Sequence, residues 1–307
     1  MNFRFSGHET FPCRYTWLPK AVGGISRNSR LFADEDAAIV TLGVGKNMVR
    51  SLRFWAETTE VSISDPITNN VCVSDFGSAI FGHNGFDRFL ENIKTLWLIH
   101  WKLSVNVDQP LFAWYYLLNR WHRSEFTQSE ILTAFTNEVQ RLGKNLSEVT
   151  LENHFTTFLH SYIPTRGKKG EVMEDNLDCP LVELELIQPI GERISLVNNR
   201  REIIYSFRVD EKPEISPELF IYCLDDFWCK FHKNEKTLSF RDLAVGEGSP
   251  GQIFKLPEKD IRDRLDMIEK YSNGIFAYHE SAALQQVVRQ KESSSQELLR
   301  YIYQSDN

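Results

Sequence analysis

The stretch SGHETFPCRYTWLPK, residues 6–20, sets His8, Glu9, Arg14 and Lys20 among aromatic residues ahead of any helical periodicity. These are the side-chain types of phosphodiester chemistry: an imidazole as base or metal ligand, a carboxylate for a divalent cation, and a guanidinium to clamp a phosphate. In an extended chain, adjacent side chains diverge, so His8 and Glu9 would face opposite ways and a distant carboxylate would be needed to complete a site. The competing reading is that both anchor the N-terminal arm through hydrogen bonds.

A second candidate is the turn LGVGKN, residues 42–47. Its two glycines precede a helix start, and Lys46 and Asn47 follow with donors suited to a backbone phosphate. The spacing is not that of a nucleoside-triphosphate loop, and neither is that of the Gly-rich GEGSPGQIFKL, residues 246–256. There is no HExxH, no CxxC and no D-x-[DE]-x-K core, and His154 and His160 are spaced to lie on nearly opposite sides of a helix. His100, flanked by Ile99 and Trp101, reads as a satisfied core histidine.

The elements that must carry these groups are legible from periodicity. Acidic residues open a short apolar helix near residues 34–42, and Gly43 and Gly45 end it. From Lys46 to Thr58, Met48, Val49, Leu52 and Trp55 form one apolar face, with Lys46, Asn47, Arg50 and Arg53 mainly away from it. Two short β-rich runs around residues 65–70 predict a hairpin. Helix, Gly turn, basic helix and hairpin is the order of a winged helix-turn-helix, which makes Arg27, Arg30, Lys46, Asn47, Arg50 and Arg53 the candidate DNA-binding residues.

Helices are also expected from Phe126 to Leu142, Ser147 to Tyr162, Pro217 to Lys233, Glu258 to Tyr271 and Ala282 to Tyr303, with strands in CPLVELELIQPI, ISLVNN and EIIYSFRV. The fold class expected is mainly α with small β-hairpins (α+β). Three domains are expected: an arm and winged helix over 1–85, a helical domain over 86–165, and a mixed α+β domain over 166–307.

Thirty-five Lys and Arg against 42 Asp and Glu leave a net charge of −7, which excludes a uniformly basic DNA coat. Residues 1–53 nevertheless carry +4 and the remainder −11, so phosphate contact is expected at the N-terminal end and protein contact elsewhere. Five scattered cysteines read as reduced thiols, and no stretch is long and apolar enough to span a bilayer, so a cytoplasmic location without membrane contact is expected.

Four stretches in order, SGHETFPCRYTWLPK, LGVGKNMVRSLRFWAE, LENIKTLWLIHWKL and GSPGQIFKL, resemble the bacterial GHETFP-box family that accompanies DNA phosphorothioation genes and is typified by SspB. The boxes fall on Gly7 to Pro12 and Arg14, then on Gly43, Gly45, Lys46, Asn47, Met48 and Trp55. What the resemblance implies is a part in placing sulfur in the DNA backbone, alongside a cysteine desulfurase, an ATP pyrophosphatase and an ATPase. It also implies a DNA-nicking role; for that role the residue types themselves offer His8, Glu9 and Arg14 as candidate catalytic residues, with no cofactor evident in the sequence beyond the Mg²⁺ or Mn²⁺ that a nicking reaction could use. The alternatives are a non-enzymatic DNA adaptor and a winged-helix transcription regulator. The partners expected are double-stranded DNA and the other phosphorothioation proteins, with a homodimer left open.

Overall fold

The computed structural model describes residues 2–65, 67–68, 70–164, 179–195, 199–281 and 284–304. It is an α+β protein whose sheets are small and antiparallel. Packing divides it into two compact units, Met1–Tyr116 with Arg123–Phe207, and Leu117–His122 with Arg208–Asn307.

The first unit opens with α1 (Trp17–Arg27), α2 (Glu35–Leu42) and α3 (Lys46–Thr58), followed by β1 (Ser62–Ser64) and β2 (Val71–Val73). The Asp34 carboxylate accepts from the Asp36 and Ala37 amides and so starts α2, and Gly43, at φ 65°, ends it in the left-handed conformation that glycine takes without strain. β1 and β2 pair antiparallel, Ser62 opposite Val73. Next, α4 (Asp75–Phe81) begins at Ser74, whose hydroxyl accepts from the Gly77 amide. A Cβ on Gly77 would sit 2.1 Å from the Val61 carbonyl oxygen, so α4 approaches the hairpin only because this residue has no side chain. Gly77→Ala is expected to lower stability by about 2 kcal/mol, read by urea unfolding. A change within about 0.5 kcal/mol would show that the contact relaxes freely.

Helices α5 (Ile93–Ser104) and α6 (Phe112–Tyr115), strand β3 (Glu125–Phe126), and helices α7 (Gln128–Arg141) and α8 (Glu148–Tyr162) complete the helical part. α5 is buried from Thr95 to Ser104, with Leu, Ile and Trp side chains filling most of its surface and the buried Lys102 amine paired with the Glu60 carboxylate at 3.0 Å. Trp17, Trp55, Trp97, Trp101, Trp114, Phe112 and Phe158 are fully buried, so residues 1–85 and 86–165 share one core. β4 (Ile187–Ile194) and β5 (Arg201–Phe207) form a sheet with β3 in the order β3-β5-β4. Residues 180–184 of the expected first strand form a 3₁₀ turn instead, and residues 196–198 of ISLVNN lie outside the described residues.

The second unit is built on α9 (Pro217–Phe231), with β6 (Thr237–Ser239), α10 (Phe240–Val245), α11 (Pro250–Phe254), α12 (Glu258–Asp266), α13 (Ile268–Tyr271), β7 (Phe276–Glu280), β8 (Gln285–Arg289) and α14 (Ser295–Gln304). The helix expected over 282–303 is corrected by this arrangement. Gln285–Arg289 is the central strand of the sheet β6-β8-β7, where Val287 is fully buried, and the helix begins only at Ser295. Two neighbouring β-branched valines favour the pleated, half-buried setting over a helix turn. Residues 282 and 283 lie outside the described residues. Among the described residues, no helix is long and apolar enough to cross a membrane.

Candidate functional site

The N-terminal box is a tight turn clamped onto α3. Gly7 has φ 107°, and a Cβ there would meet the Phe54 ring at 2.7 Å, so only glycine lets the arm lie this close to the helix. Glu9 and Thr10 both adopt left-handed backbone at φ 48° and 63°, and the Phe11 amide closes the turn on the His8 carbonyl at 2.8 Å. From α3, the Ser51 hydroxyl donates to the His8 carbonyl at 3.0 Å and the Trp55 indole donates to the Phe11 carbonyl at 3.0 Å. Two segments that sequence reading keeps apart thus hold one another.

His8 is only 3% exposed, and its ring stacks on that of His154, which is fully buried. His8 Nε2 and His154 Nδ1 share one hydrogen bond at 3.1 Å. At the outer ends, the Ala113 amide donates to His154 Nε2 at 3.0 Å and the Thr10 amide approaches His8 Nδ1 at 3.1 Å. The Thr157 hydroxyl stands 3.2 Å from the same Nδ1 and donates to the Asn153 carbonyl at 2.9 Å. With His154 Nε2 accepting from Ala113, the His154 proton sits on Nδ1 and is donated to His8 Nε2, and the His8 proton sits on Nδ1, where the Thr157 hydroxyl accepts it; an additional, charge-bearing proton would face the Ala113 amide or a second proton between the rings. Burial, reinforced by the charge of Arg4, pushes His8 down to about 4, and burial pushes His154 well below the ordinary histidine range, with His8 adding to the effect.

Glu9 and Arg14 do not join this pair. Glu9 is half-exposed, and the Arg14 guanidinium lies 5.6 Å from the Phe11 ring centre and 5.5 Å from that of Trp17. With His8 engaged at both nitrogens and Glu9 the one carboxylate of the box, these residues do not fit a divalent metal. Among the described residues, no group of three His, Cys, Asp or Glu could hold a metal ion.

The α3 cations are gathered as the sequence predicts, but none is bare. Lys46 Nζ lies 2.7 Å from Glu35 and Arg50 Nε 2.6 Å from the other oxygen of the same carboxylate, with the two cations 58% and 48% exposed. These two hydrogen bonds hold the Glu35 carboxyl below its usual range. Asn47 is exposed beside them. Arg53 is tied down more firmly: it pairs with Glu57 at 2.8 Å, donates to Ser64 on β1 at 3.3 Å and faces the Phe32 ring, joining helix to hairpin. Arg27, at the last turn of α1, folds its Nε back onto the Gly23 carbonyl at 2.8 Å, and Arg30 is exposed in the turn that follows.

The GEGSPGQIFKL stretch is tied by its own backbone and side chains to residues 118–120. Asn119 accepts from the Gly248 amide at 2.8 Å, the buried Lys255 amine donates to the Leu118 carbonyl at 2.7 Å, and Arg120 pairs with Glu247 at 2.8 Å. It fastens residues 117–122 into the second unit. Burial lowers the Lys255 amine to about 7. Gly251 lets α11 pass α10, since a Cβ would meet the Ala244 carbonyl oxygen at 2.3 Å.

Set against known proteins, residues 5–303 match the family model described as "Protein of unknown function (DUF4007)". Two solved structures share the fold, a magnesium ion-bound SspB crystal structure and an SspB crystal structure, with TM-scores of 0.83 and 0.82. Each is 24% identical, with the match covering 99% of this chain and 88% of the other. No curated protein matches the sequence.

Proposed function

Since the chain belongs to the DUF4007 family and has the fold of SspB, we propose that it is the DNA-binding component of a bacterial DNA phosphorothioate modification system that serves phage defence. In this reading α1, α2, α3 and the β1–β2 hairpin act as a winged helix-turn-helix, with α3 as the recognition helix. The observation that carries it is the outward face of α3, where Lys46, Asn47 and Arg50 stand exposed at the end of a helix whose other face is locked in the core. The GHETFP turn is the clamp that sets the angle of that helix.

The pairing of Lys46 and Arg50 with Glu35 gives the interface a built-in competitor. Duplex phosphates must displace one carboxylate from two cations, an exchange of one exposed anion for another that is nearly neutral in energy but selects for close, multivalent contact. Glu35→Gln is expected to tighten duplex binding several-fold at low salt, read by fluorescence anisotropy. Weaker or unchanged binding by the folded variant would remove this face from the DNA contact.

We place the adaptor role ahead of nicking because the residues of the N-terminal box do not fit a metal. The SspB crystal described as magnesium ion-bound makes a metal-dependent role worth testing at other carboxylates. The acidic remainder, residues 54–307 at −11, is the surface proposed to meet a cysteine desulfurase, an ATP pyrophosphatase or an ATPase.

A further inference from the structure

The α3 cations are all paired with carboxylates, whereas Lys20, Arg27 and Arg88 have no acidic partner among the described residues. These three line one open groove of about 810 Å³ between α1 and the loop after α4, together with His83, Phe81 and Phe89. No Asp or Glu borders it among the described residues, although acids outnumber bases in the chain. Phe89 is 64% exposed, and Arg88 lies over its ring at 5.3 Å.

The groove is built rather than incidental. Its loop is held by Asp87, 7% exposed, whose carboxylate accepts from the Glu91 and Asn92 amides at 2.8 and 3.0 Å, while the Phe86 and Asp87 amides donate back to α4. On the opposite wall is Gly23, in the middle of α1, where a Cβ would meet nothing within 4 Å. A mid-helix glycine weakens the helix, and here packing does not require it. It leaves this wall of the groove flat and open.

We propose that this groove binds an unpaired stretch of a nucleic-acid strand, with phosphates on Lys20, Arg27 and Arg88 and a base stacked on Phe89. A cationic groove beside an exposed aromatic ring is the arrangement that single strands use, because an unstacked base offers a π-face and a paired base does not. An acidic peptide would be held by the cations but would leave Phe89 in water. The proposal rests on the reading of this chain as a DNA-binding protein, though not on α3.

The test uses the full chain, with anisotropy of labelled oligothymidylate and of a labelled duplex. Lys20→Gln/Arg88→Gln and Phe89→Ala are each expected to weaken oligothymidylate binding by about tenfold or more while leaving duplex binding within about twofold. Gly23→Leu should bind equally poorly with an unchanged or higher Tm, which separates a filled groove from a damaged fold. Unaltered oligothymidylate affinity in the folded Lys20→Gln/Arg88→Gln variant overturns the proposal. So does a loss confined to the charge variants, with Phe89→Ala and Gly23→Leu unaffected, because the surface would then be merely electrostatic. Equal displacement by polyglutamate or by a mononucleotide also overturns it, in favour of a peptide or a small-ligand site. A failure of the α3 variants to affect duplex binding would count against the proposed function and leave these oligothymidylate results standing.

Discussion

His154→Ala is expected to lose about 3–5 kcal/mol of stability, the range for removing a large buried ring whose partners are left unsatisfied. The ring is fully buried between Phe5, His8 and Trp114. Its loss strands the Ala113 amide and one nitrogen of His8 as well as opening a cavity. The same pair sets a pH dependence whose sign follows from the depressed pKa. Between about 4 and the ordinary 6.5, unfolded His8 binds a proton that the folded form does not. Stability therefore falls as the pH drops through this window, and from pH 7 to pH 5 His8 alone contributes a loss of about 2 kcal/mol. His154, shifted in the same direction, adds to it. Urea unfolding at a series of pH values reads the effect; a slope that is flat from pH 7 to 5 and identical in His8→Gln would contradict it.

This pair also shows where sequence reading stops. α2 and α3 are legible because their signals are local: the Asp34 cap, the left-handed Gly43 and the apolar spacing of Val49, Leu52 and Trp55. His8 and His154 are 146 residues apart, and nothing near either one announces the other. His8 in a loop rich in Glu and Arg reads naturally as a base, but once its nitrogens are assigned to His154, Thr10 and Thr157 the same residue is an anchor. Glu35 has a legible role at the start of α2, yet its second role, bridging Lys46 and Arg50, depends on how α2 and α3 fold back across the Gly43 turn. The groove residues escape for the same reason. Arg27 stands out by charge, but its companion Arg88 arrives from a loop 61 residues later in a stretch that contains acids of its own.

The largest functional effect is expected at α3. Lys46→Ala/Arg50→Ala should reduce duplex affinity by tenfold or more at moderate salt, because each lost phosphate contact forfeits both an attraction and the release of a counterion. Arg53 is left in place in this variant, since its links to Glu57 and Ser64 join α3 to the hairpin and its removal would confuse binding with folding. The measurement that decides the central claim is the slope of log affinity against log salt for wild type and the double variant on the same duplex. The slope of the variant should be shallower by roughly 2, matching two phosphate contacts. Equal affinity and equal slope in a folded double variant would mean that the α3 face does not touch DNA.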